Sequence, residues 1–284
     1  MKIASNARVA FQGERGAFSE EAAIKLLGEG IELVPRPTFE AAFTAIRDGA
    51  ADYILAPIEN SLAGSVHRSF DLLVDSGLNI IGEVIISIAH NLIGPPGAKF
   101  EDVQVVESHP VALAQCEQFF SAHPRLKRIA TEDTAGSVRE VVRAADRTRA
   151  AIAGKRAAEL YGGVILREHL EDNRENYTRF LLLSTSADLP ENAEKLSLVF
   201  QLDHRPRALY NALEPFARRN LNLMKIESRP VHGQPWQYRF YLDLQASRND
   251  PEVKAALDEL KALVVNLRIL GAYAPAQQPN SAKA

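Results

Sequence analysis

The sequence has few of the residues that mark a secreted, membrane-bound or nucleic-acid-binding protein. Cys116 is the one cysteine among 284 residues, which excludes a disulfide within the chain. No apolar run approaches the roughly 18 residues that a membrane span needs, and residues 1–7 lack the apolar core of a signal peptide. The formal net charge of −3 provides no basic surface for nucleic acid. We therefore expect a cytoplasmic protein that binds neither membrane nor nucleic acid.

Several motifs that carry familiar chemistry are also missing. The seven histidines include no pair at the spacing of a metal site and have no set of cysteine partners, so we expect neither a metal nor a cofactor. The absence of a Gly-x-Ser-x-Gly elbow argues against a Ser–His–Asp hydrolase. No close acidic pair of the glycosidase type is identifiable. The remaining candidates for function are neutral polar groups.

Strand and helix signals alternate over the first two thirds of the sequence. Strands are predicted at 8–11, 32–34, 52–56, 103–106, 127–130, 149–153 and 164–167. Ser19 begins the first predicted helix and Thr38 caps the second, so the opening order is βαβαβ. This order predicts a parallel sheet covered by helices, in which ligands bind beyond the carboxyl ends of the strands. The break at Gly94-Pro95-Pro96-Gly97 separates two stretches of this kind.

Uncharged hydrogen-bonding side chains stand where the predicted strands end or begin. They are Asn60, Ser61, Ser108, Thr134 and Thr178. A predicted helix from Pro110 to Phe119 places Gln115 about two turns from Ser108, toward the same opening. Neutral donors and helix N-termini suit a small anion, particularly a carboxylate. Taken singly, each residue is explained as well by a cap, a turn or an ordinary strand position, and the glycine turn at 13–16 by a plain tight turn.

The pattern changes after the polar segment 184–192, which is the best linker in the chain. Strands are predicted at 196–202, 223–226, 238–244 and 264–270, with one helix at 208–217 and a second that Asp250 caps and Pro251 begins. The order βαββαβ predicts a ferredoxin-like α+β domain. Its open sheet face and edge strands favour self-association. Residues 274–284 are expected to form a frayed tail.

Four motifs in order along the chain carry a family resemblance. They are Glu59-Asn60-Ser61 with Gly64, Glu107-Ser108-His109-Pro110 with Gln115-Cys116, Asn176-Tyr177-Thr178-Arg179-Phe180, and Glu227-Ser228-Arg229-Pro230. Over about residues 8–272 the chain resembles the monofunctional prephenate dehydratases, in which an ACT regulatory domain follows a catalytic region. It does not resemble the fused bifunctional form, because no chorismate mutase helix precedes residue 8.

The resemblance implies a two-lobed α/β catalytic region, like type II periplasmic binding proteins, over 1–188. Lobe one would cover about 8–83 and 165–185, and lobe two about 84–164. An ACT domain over 194–272 and a disordered tail over 273–284 would follow. The implied enzyme is a lyase of phenylalanine biosynthesis that removes water and carbon dioxide from prephenate to give phenylpyruvate. A homodimer or homotetramer would form through the ACT domains.

The threonine of the Thr-Arg-Phe motif is catalytic in this family, and it corresponds to Thr178. The resemblance places Asn60, Ser108 and Gln115 in the substrate cleft, and we add Ser61, Thr134, Arg179 and Phe180 as candidates. Aromatisation drives the reaction, so the protein must orient a dicarboxylate, exclude water and help a ring hydroxyl to leave. Because a free threonine is a poor acid, we interpret Thr178 as a hydrogen-bond donor or proton relay. Arg179 meets either a substrate carboxylate or a neighbouring glutamate.

The resemblance also implies a phenylalanine effector site between two ACT domains. The corresponding residues are Ala208, Leu209, Asn222, Leu223, Glu227, Ser228, Arg229 and Pro230. The sequence departs from the family pattern at Arg207 and Asn220, where glycine is usual, and at Met224, where threonine is usual. Glycine permits close backbone approach to a ligand, whereas Arg207 adds bulk and charge, so inhibition by phenylalanine is left open.

Two other functions remain open from the sequence. An arogenate dehydratase performs the same chemistry on a substrate that bears an amino group. A non-enzymatic sensor would bind a carboxylate metabolite in the cleft and signal through the ACT domain, but the Thr-Arg-Phe motif argues against it.

Overall fold

Three β-sheets organise residues 4–186 and 193–277, which the computed structural model of the chain describes. In chain order the elements are β1 (Arg8–Gln12), α1 (Phe18–Leu27), β2 (Glu32–Arg36), α2 (Phe39–Arg47), β3 (Tyr53–Asn60), β4 (Gly64–Ser65), α3 (His67–Ser76), β5 (Asn79–Ser87), β6 (Asn91–Gly94), a 3₁₀ turn (Phe100–Asp102), β7 (Val105–Ser108), α4 (Pro110–Ala114), α5 (Glu117–Ala122), β8 (Lys127–Ala130), α6 (Thr134–Ala144), β9 (Arg149–Ala153), α7 (Lys155–Tyr161), β10 (Val164–Arg167), β11 (Tyr177–Ser184), β12 (Lys195–Gln201), α8 (Ala208–Ala217), β13 (Leu223–Pro230), β14 (Tyr238–Leu244), α9 (Pro251–Leu263) and β15 (Asn266–Tyr273).

The described chain divides into two units. Residues 4–72 and 84–180 form the first unit, and residues 73–83, 181–186 and 193–277 form the second. Most of the predicted linker, residues 187–192, lies outside the described residues. Among those that are described, no helix combines the length and the apolar character needed to cross a bilayer.

The first sheet has the order β2-β1-β3-β11-β5, with β4 paired to β3. Strand β1 runs parallel to both β2 and β3, which confirms the predicted opening βαβαβ arrangement. The N-terminus of α2 is capped as predicted, because Thr38 Oγ1 accepts a hydrogen bond from the Ala41 amide at 3.1 Å. Helix α1 begins at Phe18, one residue before the predicted start, and Ala17 precedes it without a side-chain cap.

The second sheet has the order β10-β6-β9-β7-β8. Strands β7, β8 and β9 are parallel, whereas β6 pairs antiparallel with both β9 and β10. Helix α6 begins at Thr134, where Asp133 caps the Gly136 amide at 2.6 Å. Apolar residues of β6, β7 and β9 fill the core on one side, including Leu92, Val106 and Ile152.

Several predicted boundaries in this region change. Strand β5 extends to Ser87, and β10 joins the second sheet through β6, so the chain returns to the first sheet after Arg167 rather than at about residue 165. The single helix expected from Pro110 to Phe119 is two short helices with a break at Gln115. The break forms because both carboxylate oxygens of Asp172 accept backbone N–H groups at the start of α5, each at 2.9 Å.

The third sheet has the order β13-β14-β12-β15, with every neighbouring pair antiparallel. Its strands and the helices α8 and α9 follow the predicted βαββαβ order. Alternate residues Leu196, Leu198 and Phe200 face a core shared with Phe216 and Leu260. The alternation predicted a half-buried strand, but Lys195, Ser197 and Val199 on the other face are buried as well.

A charged network is buried in the second unit. Lys195 donates to both carboxylate oxygens of Glu83, at 3.0 and 2.8 Å, and lies 3.7 Å from Asp243. Ser197 donates to Asp243 at 2.5 Å and contacts the Tyr273 hydroxyl at 2.6 Å. All five residues are at most 6% exposed, so the two carboxylates depend on Lys195 and on the neighbouring hydroxyls rather than on water.

The C-terminal boundary also differs from the prediction. The predicted tail includes Tyr273, but this residue ends β15 and is fully buried. The Ala276 amide donates to Glu83 at 2.8 Å, so the chain remains anchored beyond the strand. Residues 278–284 of the predicted tail lie outside the described residues.

Candidate active site

A cleft of about 470 Å³ opens in the first unit and is lined from both of its sheets. Five of the predicted site residues contribute to its wall: Asn60, Gln115, Thr134, Thr178 and Phe180. Phe18 and Val66 supply part of an apolar wall. No lysine or arginine is among the described lining residues, whereas the acidic Glu132 and Asp133 are, so a bound anion would depend on neutral donors.

Asn60 is the residue whose orientation organises the cleft. It ends β3, four residues beyond the predicted end of that strand. Its Oδ1 accepts hydrogen bonds from the backbone amides of Leu62 at 3.0 Å and Ala63 at 2.7 Å. A backbone N–H can only donate, so these two contacts identify the oxygen of the Asn60 amide. The Nδ2 group is therefore the part of the Asn60 amide that faces residues 176–178, where strand β11 begins.

The Asn60 amide nitrogen makes Thr178 a hydrogen-bond acceptor. Asn60 Nδ2 lies 3.0 Å from Thr178 Oγ1, 2.7 Å from Asn176 Oδ1 and 3.1 Å from the carbonyl of Tyr177. The Thr178 hydroxyl oxygen thus accepts a hydrogen bond from the Asn60 side chain. Among the described residues, no acceptor takes the Thr178 hydroxyl hydrogen. That hydrogen is left for a molecule in the cleft, as the donor role of Thr178 requires.

The orientation of the Asn60 amide also determines the orientations of the Asn176 and Gln115 amides. Because Asn176 Oδ1 accepts from Asn60, the Asn176 Nδ2 group faces Gln115 Oε1 and donates to it at 3.0 Å. Gln115 Oε1 is also 2.8 Å from His90 Nε2, and the Gln115 Nε2 group lies 3.5 Å from Asn60 Oδ1. Two backbone amides thus orient a ring of amides around the cleft.

Helix N-termini provide further donors at the cleft. Residues 17–19 at the start of α1 and residues 132–134 at the start of α6 are among the lining residues. A helix N-terminus carries unpaired N–H groups and a partial positive charge, which favour anions. Asp133 already caps the Gly136 amide at the start of α6, whereas α1 has no side-chain cap.

A buried carboxylate holds α1 in place behind the cleft. Glu20 is 0% exposed and accepts hydrogen bonds from Arg15 at 2.6 Å, Arg156 at 2.7 Å and the Gly16 amide at 3.1 Å. Burial alone raises the pKa of Glu20, but the hydrogen bonds from Arg15 and Arg156 outweigh it and leave the pKa below its usual value. Gly16 has φ +82° and a Cβ there would lie 2.9 Å from Ala157 Cα, so this turn requires glycine.

Three predicted substrate contacts lie elsewhere. Ser108 is fully buried and its hydroxyl donates to the Ile152 carbonyl at 2.6 Å. Ser61 is exposed; it donates to the Glu175 carbonyl and accepts from the Tyr177 amide. Arg179 is absent from the described lining residues, since neighbouring strand residues point to opposite faces of a sheet. Ser108 and Ser61 therefore hold loops and strands rather than facing the cleft.

Sequence reasoning missed the parts played by Asn176 and two histidines. Asn176 is completely buried between Asn60 and Gln115. His90 and His109 both line the cleft, and burial lowers the pKa of each imidazole. The only available signal was the position of Asn176 and His109 inside recognised motifs. Cys116, beside Gln115, is buried, and burial raises the pKa of its thiol, which argues against a nucleophile.

The predicted effector residues are distributed over two places in the second unit. Ala208 and Leu209 line a pocket of about 120 Å³ together with Trp236. Asn222 bonds Gln245 just before the edge strand β13, which carries Leu223, Glu227, Ser228, Arg229 and Pro230. Arg207 and Asn220 adopt φ +68° and +53°, so both keep the left-handed backbone that glycine favours.

Comparison with known proteins identifies the family. A family model described as prephenate dehydratase matches residues 9–188. Arogenate dehydratase 2 from Petunia hybrida is 41% identical over 285 residues, which cover 95% of this chain and 72% of the relative. This relationship supports the predicted dehydration reaction.

Two solved structures extend the similarity over nearly the whole chain. The prephenate dehydratase from Arthrobacter aurescens in complex with L-Phe has a TM-score of 0.87 and 33% identity, covering 96% of this chain and 91% of its own. GqqA, described as a novel type of quorum quenching acylase, has a TM-score of 0.87 and 35% identity, covering 95% and 98%. The matches of sequence and fold lead to one conclusion: the chain belongs to the prephenate dehydratase family.

Proposed function

We propose that the cleft removes water and carbon dioxide from prephenate to form phenylpyruvate, with Thr178 as the donor to the departing hydroxyl. The observation that carries this proposal is the direction of the Asn60 hydrogen bond. Because Asn60 donates to Thr178 Oγ1 at 3.0 Å, the threonine proton is available to the substrate. The enzyme is then a carbon–oxygen lyase.

The reaction needs little covalent work from the protein. The bond between the ring and its carboxylate breaks, and the electron pair moves through the ring to expel the hydroxyl group. The leaving oxygen takes up one proton and departs as water, while the ring becomes aromatic. Negative charge grows on that oxygen in the transition state, where a hydrogen bond from Thr178 is stronger than in the ground state.

The substrate carboxylates require donors other than basic side chains. In our proposal the N-terminal N–H groups of α1 receive a carboxylate, assisted by neutral side chains such as Gln115 and Thr134, since the Asp133 carboxylate already caps α6. Phe180 and Phe18 would lie against the ring and exclude water. Ser61 and Ser108 support the loops and strands around this site.

Incubation of the purified chain with prephenate tests the reaction directly. Phenylpyruvate, measured by its absorbance, should form at a rate proportional to the enzyme concentration. A chain that binds prephenate without producing phenylpyruvate would instead be the non-enzymatic sensor.

Arogenate is the second candidate substrate because the cleft wall carries Glu132 and Asp133. A carboxylate is a suitable partner for the ammonium group of arogenate, and Asp133 is partly occupied as the cap of α6. Measurement of kcat/KM for prephenate and arogenate side by side separates the two. The higher value identifies the preferred substrate, and Glu132→Gln should reduce only the arogenate value.

Acylase activity, which is the description of GqqA, fits this cleft less well. Acyl transfer by a threonine needs a base that removes its proton. The described contact of Thr178 Oγ1 is with the Asn60 amide nitrogen, which donates. An acyl-homoserine lactone assayed beside prephenate should therefore show no turnover that depends on Thr178.

We further propose that phenylalanine binds at the pocket formed by Ala208, Leu209 and Trp236. Trp236 is the single tryptophan of the chain and is 74% exposed. Its fluorescence should therefore report phenylalanine binding directly, alongside calorimetry. Arg207→Gly restores the residue usual in the family and should tighten binding, whereas an unchanged signal in both proteins would mean that phenylalanine is not an effector.

We also propose that the chain assembles through its ACT domain. Strand β13 is at one edge of the third sheet and exposes Met224 and Ile226, at 39% and 45%. Edge strands with apolar side chains favour pairing with another chain. Light scattering should give a homodimer or homotetramer, and a charged residue at Ile226 should shift it toward monomer. Cell fractionation tests the predicted cytoplasmic location.

A further inference from the structure

His90 is a buried group beside the cleft that the proposed reaction does not use. It is 2% exposed, and its ring meets Phe18 edge to face at 5.8 Å between centroids. Its backbone is fixed at both polar groups, because the amide donates to Glu171 at 2.7 Å and the carbonyl accepts from Leu170 at 2.8 Å. The ring therefore has a defined position next to Gln115.

The ring can have only one tautomer that satisfies its neighbours. Gln115 Oε1 is identified as an oxygen because Asn176 donates to it at 3.0 Å. His90 Nε2, at 2.8 Å from the same oxygen, must then carry the hydrogen. Nδ1 is left with a lone pair and has no hydrogen-bond partner among the described residues. Burial lowers the pKa of the imidazole, consistent with a neutral ring.

We infer that His90 is a positioning residue that acts through Gln115. Its Nε2–H is the second donor to Gln115 Oε1, and together with Asn176 it prevents the amide from rotating. A rotated Gln115 would turn its NH₂ group toward Asn176 Nδ2, placing two donors face to face. Asn176 would then release Asn60, the residue that orients Thr178. This inference rests on the proposed dehydration for its kinetic consequence, but not for its hydrogen-bond geometry.

A purely space-filling role for His90 is the competing explanation, since the ring also packs on Phe18. Two substitutions separate the explanations. His90→Leu keeps an apolar side chain against Phe18 and removes the donor. His90→Gln carries an NH₂ group at about the reach of Nε2 and lacks the ring. A positioning role predicts that the glutamine variant is the more active one, whereas a packing role predicts the reverse.

The first measurement is the tautomer of the unaltered chain. Long-range ¹H–¹⁵N correlation on protein with labelled histidine should show His90 protonated at Nε2 and bare at Nδ1. A proton on Nδ1 with Nε2 bare would overturn the inference, because Gln115 Oε1 would then face a lone pair. This reading needs no turnover, so it stands even if prephenate proves not to be the substrate.

The second measurement is steady-state kinetics with prephenate. His90→Leu should lower kcat about tenfold, the effect of one hydrogen bond, while KM changes less than about threefold, since Thr178 acts mainly in the transition state. His90→Gln should recover most of kcat. His123→Gln is the matched control, because His123 bonds the Phe119 carbonyl and is absent from the cleft lining. The inference would be overturned if kcat of His90→Leu were unchanged, or if kcat of His90→Gln were as low as that of His90→Leu.

Discussion

Two buried polar networks in this chain show opposite designs. The cleft network joins Asn60, Asn176, Gln115, His90 and Thr178 with neutral groups only. The network of the second unit joins Lys195, Glu83 and Asp243 with full charges, supported by two hydroxyls. In the first network no described residue accepts the Thr178 hydroxyl hydrogen, whereas Lys195 is surrounded by carboxylates that compensate its charge.

This difference separates stability from function. Removing the partner of a buried charged group leaves an uncompensated charge, which strongly destabilises the folded state. A neutral network loses less when one member changes, and it can present a spare donor to a ligand without a large desolvation cost. The charged network should therefore respond to mutation mainly through unfolding, and the neutral network mainly through turnover.

The largest expected effect tests the charged network. Lys195→Met leaves Glu83 and Asp243 buried without their counter-charge and should destabilise the chain by about 3–5 kcal/mol. Chemical denaturation measures this loss. Adding Glu83→Gln should return part of the stability, and Lys155→Met, in an exposed pair with Glu159, should change it by less than about 1 kcal/mol. A Lys195→Met chain as stable as the original would remove the distinction between the networks.

The next largest effect tests the direction of the hydrogen bonds in the neutral network. Asn60→Asp has the same shape but replaces the donor toward Thr178 with an acceptor. The Thr178 hydroxyl would then turn its hydrogen to the carboxylate, so kcat should fall by about 100-fold or more, the scale of losing one donor. Circular dichroism provides the check that the fold persists. If the folded aspartate variant kept its kcat, Thr178 would not depend on Asn60 for its orientation.

The smallest expected effect is a pH dependence from the one titratable member of the neutral network. Burial lowers the pKa of folded His90 below the value of about 6.5 that an unfolded chain has. The stability from the neutral ring is complete above pH 6.5 and is lost as pH falls toward the folded pKa. The slope in that window is at most about 1.4 kcal/mol per pH unit. Thermal melts of the unaltered chain and His90→Gln should converge as pH decreases; parallel curves would contradict this account.

Much of the fold was predictable because local patterns and tertiary packing agree. The alternating Leu196, Leu198 and Phe200, the Thr38 and Asp250 caps and the βαβαβ opening all appear where expected. Two failures have a common cause. The break at Gln115 and the position of Tyr273 depend on Asp172 and on residues distant in sequence, and a local pattern does not contain such contacts.

The candidate site was predictable in part for the same reason. Asn60, Gln115 and Thr178 were found through motifs, but the motif could not distinguish a serine that faces the cleft from Ser108, which bonds the Ile152 carbonyl. His90 is more than 80 residues before Thr178 in the sequence, and its place in the network depends on the packing of two sheets. A buried polar residue is recognised as functional only when its partners are known.

In our proposal Thr178 acts through a hydroxyl hydrogen that no described residue accepts. The most direct measurement is kcat for prephenate with Thr178→Val and Thr178→Ser. Valine keeps the branched shape and loses the hydroxyl, so kcat should fall at least about 100-fold, while serine keeps the donor and should retain much of the activity. A folded valine variant with turnover close to that of the unaltered chain would contradict the account.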